Sequence, residues 1–412
     1  MKICIAQTRS LKGRINKNIE HHLQMVERAV IHHADLIVFP ELSITNYEPK
    51  LANELATDAS DPVFEPLQEL ANRHLICIGV GMPTRAKDGV HISMLIFKPK
   101  AAPTVYCKQM LHDDELPYFV CGQRQTILDF KGTKIGFGIC YETLQREHFA
   151  NAKKLGADIY IASVAKPKGG VEKAYKHFPK MAAEFNTPIL MSNCIGPCDN
   201  FIGTGQSAVW SENGEILAQL DGENEGLLVY DSNTIQVEKE QHKIEKGNSN
   251  DLDRLFNIYL KGKADLEQKG IFQWTNNYPT RSIIQSDIEN GVLYVLKNGL
   301  EILGAINISE EQEPEYEQVT WAFNSTKILV IHRLVIDPKY QNNGYARMLM
   351  DFAEDYALEN QYTSIRLDAY TQNKRVLKFY EKRQYFIRGS VNFPGREYPF
   401  YCLEKEIKTF RP

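Results

Sequence analysis

Apolar and polar positions change places in short, regular steps along the first half of the chain. KICIAQ (2–7), DLIVFP (35–40), LICIGVG (75–81), ISMLIF (92–97), TKIGFGIC (133–140), ADIYIAS (157–163) and TPILMSN (187–193) are short β-rich runs and predict strands. Helical stretches lie between some of them, as in INKNIEHHLQMVERAVIHHA (15–34) and LQREHFANAKKLG (144–156), the second closed by a C-capping glycine. GQSAVWSENGEILAQL (205–220) predicts two strands turning at ENGE, and GLLVYD (226–231) predicts one more. The sum is an α/β domain with some antiparallel pairing.

The pattern breaks at SNTIQVEKEQHKIEKGNSND (232–251), which is polar, charged and marked by glycine. This predicts a first domain over 1–240, a linker over 241–250 and a second domain over 251–412. In the second, a helix is predicted at 251–270. Strands follow at 291–299, 301–309 and 327–337, a helix at 344–359, a strand at 364–370, a helix at 374–383, and then terminal strands. This too is an α/β domain. There is no internal repeat and no low-complexity tract.

Composition changes this picture little. The chain has 412 residues, 43% of them hydrophobic, which suffices for two cores. A net charge of -4 argues against a broad nucleic-acid-binding face. MKICIAQT is almost a strand from its first residue, with no cationic segment leading into an apolar signal core, and no apolar run approaches a membrane span. A cytoplasmic protein that binds neither membrane nor nucleic acid is the expectation. The eight cysteines are scattered through a large chain. CIGPC (194–198) has the wrong spacing for a redox CxxC and no second pair beside it, so turn and core roles are expected there and no metal.

Candidate chemistry gathers at three places in the first domain. DLIVFPELSIT sets Glu41 just past a strand, where a carboxylate can reach a ligand crevice. VYCKQMLHDDE supplies Lys108 and Glu115. GFGICYE (136–142) sets Cys140 at a strand end, where a tight turn can expose a side chain and a following helix start favours thiolate. Together these types suit attack of a thiolate on an amide or nitrile carbon. One carboxylate would move the proton, an ammonium ion and the Tyr141 backbone N–H would hold the oxyanion, and a second carboxylate would orient the lysine or the water. Singly, each has an ordinary alternative: Cys140 as core packing, Glu41 at a helix start, Lys108 on the surface, Glu115 in an acidic run. Spacing alone does not bring them together.

FPELSITNY (39–47), YCKQMLHDDELPYFVCG (106–122) and GFGICYE, in this order, resemble the nitrilase or carbon–nitrogen hydrolase superfamily over about residues 1–240. The resemblance implies Glu41 as general base, Lys108 as the active-site lysine, Cys140 as nucleophile and Glu115 as the additional glutamate. It also implies a four-layer α-β-β-α sandwich and a homodimer formed through the hydrolase domain. The third motif departs from the family in carrying Glu142 where many members have aspartate, with Arg146 further on. Ser163, Val164 and Ala165, in ADIYIASVAKPKGG (157–170), fall where family members contact substrate. Lys166, Lys168 and Lys173 nearby suit either an acidic substrate group or a solvated cluster.

In the second domain, LVIDPKYQNNGYARMLMDFAEDYA (334–357) runs from a strand through Gln341, Asn342, Asn343, Gly344, Tyr345 and Ala346 into a helix. Small residues there let backbone N–H groups approach a phosphate at a helix N-terminus, although a plain glycine-containing helix start has the same pattern. It is neither a Walker loop nor a dinucleotide loop. With RLDAYTQNKRVLKFYEKRQYF (366–386), it resembles the GCN5-related N-acetyltransferase (GNAT) family over about 251–408. That resemblance implies an α/β fold on a central, mostly antiparallel sheet and acetyl-CoA as cofactor. The loop would hold the pyrophosphate, and Leu334, Val335 and Ile336 would run beside the pantetheine arm. Asn373 would face the cofactor and Tyr380 would protonate the departing thiolate. On periodicity alone Tyr380 is a helix-face aromatic packed on the sheet. For the acceptor's proton, His332, Glu310, Glu311, Asp368 and a water chain remain open.

The resulting expectation is a bifunctional enzyme acting on a small-molecule amide and on an amine, with no cofactor in the hydrolase domain. One alternative is an amidase whose second domain senses acetyl-CoA or CoA without transfer. Another is a non-catalytic interaction protein on an enzyme scaffold.

Overall fold

The computed structural model describes residues 1–324 and 327–407. They form two compact units, Met1–Gln241 and a second beginning at His242.

The first unit begins β1 (Lys2–Gln7), α1 (Ile15–Ile31), β2 (Leu36–Val38), α2 (Ala52–Leu55), α3 (Glu65–His74), β3 (Cys77–Ala86), β4 (Gly89–Phe97) and β5 (Thr104–Cys107). It continues β6 (Ile127–Phe130), β7 (Thr133–Ile139), α4 (Arg146–Lys154), β8 (Ile159–Val164), α5 (Lys168–Phe185) and β9 (Ile189–Asn193). The hairpin β10 (Ile195–Pro197) and β11 (Ile202–Thr204) follows, then β12 (Ala208–Trp210), β13 (Ile216–Gln219), β14 (Gly226–Asp231) and β15 (Gln236–Lys246), whose first six residues belong to this unit.

One sheet runs β15-β14-β1-β2-β3-β4-β5 and the other β13-β12-β9-β8-β7-β6. Strand parity explains how they stack. In β1, Ile3 and Ile5 enter a core shared with Phe137, Ile139, Ile161 and Leu190 of the other sheet, whereas Cys4 and Ala6 face α1 and α3. In β8, Ile159 and Ile161 face the inter-sheet core, and Tyr160, Ala162 and Val164 pack with α4 and α5. The layers are therefore α-β-β-α, the sandwich expected. Parallel pairs β1–β2, β2–β3, β7–β8 and β8–β9 carry the chain from layer to layer, so several strand ends open onto one crevice.

The second unit contains the remainder of β15, α6 (Leu252–Gln268), α7 (Arg281–Glu289), β16 (Leu293–Asn298), β17 (Glu301–Ser309), β18 (Ile328–Ile336), α8 (Tyr345–Glu359), β19 (Ser364–Tyr370), α9 (Lys374–Lys382), β20 (Phe386–Val391) and β21 (Phe400–Glu406). Its sheet order is β15-β16-β17-β18-β19-β21-β20, antiparallel throughout except between β18 and β19. That parallel pair holds register only from Ile328↔Ser364 to Ile331↔Leu367, and beyond it the two strands part. This is the GNAT-like arrangement expected.

The segment 241–250, expected as a linker, is mostly strand: residues 242–246 pair with β16. Val237 and Ile244 supply the apolar positions that the charged residues around them conceal. Among the described residues, no helix is long and apolar enough to cross a membrane.

Candidate active site

In the first unit the three sequence segments converge. Glu41 lies three residues past β2 on a turn pressed against β3, where a Cβ on Gly81 would come within 2.2 Å of the Leu42 nitrogen. Ser163 fixes the same turn by donating its hydroxyl to the Phe39 carbonyl at 2.8 Å. Lys108 follows β5. Its ammonium group donates to Glu41 Oε1 at 2.8 Å and to Glu115 Oε1 at 2.6 Å. All three side chains are buried. A charged trio without water persists only when each charge is paired and hydrogen-bonded. Glu115 meets that condition through Tyr47, whose hydroxyl donates at 3.1 Å, and through the His112 N–H at 2.9 Å.

Glu41 is different. Its Oε2 is buried and has no hydrogen-bond partner. Burial pushes this carboxyl up to about 7 against the pull of Lys108, placing it where a group can both take and return a proton near neutral pH. Burial alone would lower the Lys108 ammonium, but the Glu41 and Glu115 carboxylates more than offset that, raise it above its ordinary value and hold it charged.

Cys140 begins a 3-10 turn directly after β7, in the left-handed region at φ 46°. Such a conformation costs a non-glycine residue of order 1–3 kcal/mol. The turn is held by Glu142, which is wholly buried and accepts from the N–H groups of Ile139 (2.8 Å), Gln109 (2.7 Å) and Met110 (3.3 Å) and from the Tyr106 hydroxyl (2.5 Å). One carboxylate thus ties the cysteine turn to the residues directly after Lys108. Gly138, two residues before the cysteine, leaves room for the Tyr160 hydroxyl, which a Cβ would approach to 2.0 Å. Burial and the nearby Glu41 charge push the Cys140 thiol up to about 11, so it rests protonated.

The three residues expected at the substrate separate. Ser163 is committed to Phe39, Val164 packs with α4 and α5, and the Ala165 carbonyl alone faces Cys140, accepting from Sγ at 3.7 Å. Sequence reasoning did not foresee Lys166 as a buried neighbour of Cys140, 3.7 Å from Nζ to Sγ, or Glu142 as the brace of the turn. Lys168 opens α5, so the predicted pocket loop is shorter than its sequence suggested. Tyr141 stands in the turn, its ring edge-on to His112 at 5.3 Å. Arg146 pairs with Glu184 on α5. Cys194 and Cys198 are buried thiols with sulfurs 3.8 Å apart, and among the described residues no cluster has the make-up of a metal site.

The second unit encloses a cavity of about 800 Å³ where β18 and β19 part. Leu334, Val335, Ile336, Gln341, Asn342, Gly344, Tyr345, Ala346, Asn373 and Tyr380 line it, and Asn343 does not. Asn342 (φ 69°) and Gly344 (φ 83°) turn the chain sharply into α8, so the turn stands at a helix N-terminus. Arg375, from α9, donates to the Asn342 side chain at 2.7 Å and adds a cation that the sequence motif did not identify. Asn373 is occupied on both sides: it caps α9 by accepting from Val376 N, and it donates to Gln273. At the point where the strands part, His332 and Asp368 both line the cavity. His332 is 3.3 Å from Glu313, and Asp368 accepts from the Tyr316 hydroxyl at 2.8 Å. Burial raises Asp368 to about 6 and raises the Tyr380 phenol well above its ordinary range. Glu310 accepts from Tyr362 and Glu311 offers only its carbonyl to His332, and neither lines the cavity.

Comparison with known proteins agrees with both units. Curated relatives include a glutamine-dependent NAD(+) synthetase of Acinetobacter baylyi, 25% identical over 235 residues that cover 55% of this chain and 43% of that one. They also include a 2-oxoglutaramate amidase of Bacillus subtilis, 24% identical, covering 52% of this chain and 84% of the amidase. The chain spans less than half the length of the NAD(+) synthetases it matches. Among solved structures, an amidase from Nesterenkonia sp. AN1, captured after Michael addition of acrylamide at its active-site cysteine, superposes with a TM-score of 0.52. It is 22% identical and the match covers 56% of this chain and 92% of that one, a likeness of fold. The Acetyltransferase (GNAT) family profile matches residues 255–385, and the Carbon-nitrogen hydrolase profile matches residues 2–239. The chain belongs to the carbon–nitrogen hydrolase family and carries a GNAT acetyltransferase domain behind its hydrolase domain.

Proposed function

We propose that the first unit hydrolyses a small amide through Cys140 and that the second transfers an acetyl group from acetyl-CoA to an amine. The observation that carries the hydrolase reading is the asymmetry of Glu41: one oxygen is held by Lys108 and the other is buried without a partner. An orphaned carboxylate oxygen is costly unless something arrives to use it.

The Cys140 thiol proton passes to Glu41 Oε2 as sulfur bonds to the amide carbon. The carbonyl electron pair moves to oxygen, where the Lys108 ammonium and the Tyr141 N–H stabilise it. Collapse breaks the C–N bond, and Glu41 returns the proton to the leaving ammonia or amine. Glu41 then removes a proton from water, the hydroxide attacks the thioester, and the carboxylic acid leaves as sulfur recovers its proton. Glu115 keeps Lys108 aimed throughout. Measuring ammonia release from a panel of amides tests this. The parent should turn over at least one of them and Cys140→Ala should lose about 10⁴-fold or more. An alanine variant with parent turnover would remove the assignment.

For the second unit, a cavity roomy enough for a nucleotide-sized ligand, a backbone turn suited to phosphate and Tyr380 at its wall support acetyl transfer. Bound there, acetyl-CoA would supply the acetyl thioester: the acceptor amine would take the acetyl group as the C–S bond breaks, Tyr380 would give its proton to the departing sulfur, and the proton shed by the amine would restore the Tyr380 phenol. CoA release with a panel of amines reads this step, and Tyr380→Phe should slow it about tenfold or more. Equal rates for the two proteins would assign Tyr380 to packing. Hydrolase turnover that changes with added CoA, in the absence of any acceptor, would favour the sensing alternative. The homodimer belongs to the same proposal and rests on family resemblance, and a cytoplasmic location is proposed with it.

A further inference from the structure

Lys166 is a buried cation with no ion-pair partner among the described residues. It lies two residues past β8, is 3% exposed, and its backbone N–H is fixed by Asn193 Oδ1 at 2.8 Å. Its ammonium group donates to the Cys140 carbonyl at 3.4 Å and approaches Cys140 Sγ at 3.7 Å, and among the described residues no carboxylate forms an ion pair with it. A buried ammonium in this position has been stripped of water without the usual repayment by an ion pair. Nothing in the proposed hydrolysis uses it.

The groups facing Cys140 explain what it is for. They are Glu41 beyond β2, Tyr47 on the same segment, Lys108 and Glu115 beyond β5, Lys166 beyond β8, and Cys194 beyond β9. Tyr47 and Cys194 are both pushed upward and remain neutral. Two carboxylates and the Lys108 ammonium leave one negative charge in excess around the thiol, and Lys166 cancels it. Moving the proton from sulfur to Glu41 conserves the total, so with Lys166 the buried cluster stays neutral when the thiolate forms. Without Lys166 the same transfer would leave the cluster with one net negative charge, carried by the thiolate and opposed by no cation of its own.

We propose that Lys166 is a further catalytic residue of the hydrolase unit, the counter-ion of the Cys140 thiolate. The thiol proton goes to Glu41 Oε2, sulfur keeps the electron pair, and a Lys166 N–H steadies it until the S–C bond forms. In the second half-reaction the S–C bond breaks with its electrons returning to sulfur, and the same N–H receives the leaving thiolate. Lys108, already shared between two carboxylates, is left for the oxyanion.

This rests on the amide-hydrolase reading, but its test needs no substrate. The full chain is alkylated with iodoacetamide across a pH series, and modification of the Cys140 peptide is followed by mass spectrometry. Lys166→Met should slow alkylation at pH 8 about tenfold and move its midpoint up by about one pH unit, and Lys166→Arg should recover most of the loss. A methionine variant with the parent profile, or an arginine variant as slow as the methionine one, would overturn the proposal. A second measurement uses the parent alone, in case the methionine variant does not fold. The rate ratio of anionic iodoacetate to neutral iodoacetamide should be higher at Cys140 than at Cys121, which is exposed on the same chain. A ratio equal to or below that of Cys121 would overturn it as well. Failure of the hydrolase reading would look different: the alkylation results would stand while no amide is turned over.

Discussion

The two units solve opposite problems with their polar groups. In the first, four charged side chains and a thiol crowd into a dry cluster, and position is enforced by ion pairs of 2.6 and 2.8 Å. In the second, a cavity of about 800 Å³ is framed by backbone: two strands that part and a left-handed turn at a helix start. The contrast fits what each unit is proposed to hold. A small amide offers few atoms, so the protein supplies the charges and places them in advance. A large anionic cofactor brings its own charge and needs room, N–H groups and a few cations at the rim.

Removing Lys108 should break the first site more severely than any single change breaks the second. Both carboxylates accept from this one ammonium group, so Lys108→Met leaves two buried acids facing each other. One must then take up a proton. Loss of the oxyanion partner should cut amide hydrolysis about 10²–10³-fold, and loss of the buried pairing should destabilise the unit by about 3 kcal/mol. Urea unfolding and ammonia release read the two effects, and CoA release should keep its parent rate. A variant as stable and as active as the parent would mean that the trio does not organise the site.

Much of this was legible beforehand. Alternation in KICIAQ gave a strand whose two faces enter two different cores, and GFGIC gave the strand and turn that carry Cys140. What stayed hidden depends on contacts remote in sequence. The stretch KPKGG looks like a loop, yet α5 starts at Lys168 because Ala174, Phe178, Met181 and Ala182 pack on the second sheet, which outweighs the weak helix preference of two glycines. Lys166, Lys168 and Lys173 look alike in sequence, and only the fold buries the first of them. Glu142 looked like a departure from a motif, and nothing nearby in the chain shows that its acceptors reach the backbone after Lys108. Ser163 could have been placed correctly. Its parity in β8 matches that of Ile159 and Ile161, which turns it toward the inter-sheet core and the Phe39 carbonyl.

A pH profile sharpens the comparison with a smaller effect. Glu41 must be ionised to accept the thiol proton, and burial lifts it to about 7. The kcat/KM for amide hydrolysis should therefore rise with pH through about 7, about tenfold per unit on the acid side. Stability should run the other way for this group. A carboxyl whose folded value lies above its ordinary 4.5 binds its proton more tightly when folded. Its contribution to stability is full below about pH 4.5 and is lost as pH rises through about 7. Glu41→Gln should abolish the acid limb together with activity and flatten this part of the stability profile. An acid limb near pH 4.5 in the parent would mean that burial does not set the proton affinity of this base.

The gentlest test falls on the second unit, where geometry rather than charge is at stake. Gly344 sits at φ 83° at the start of α8, and a Cβ there would meet no atom within 4 Å. Gly344→Ala therefore adds no clash. It imposes only the conformational penalty of the left-handed region, about 1–2 kcal/mol, and part of that can be relieved by letting the turn relax. If the turn must hold its shape to present α8's N–H groups to a pyrophosphate, the penalty falls on binding, and calorimetry should show acetyl-CoA affinity weakened about three- to tenfold. If affinity is unchanged while thermal stability drops, the penalty falls on the fold alone. Ligand recognition would then come from side chains such as Arg375, and the second site would be organised by charge after all, as the first is.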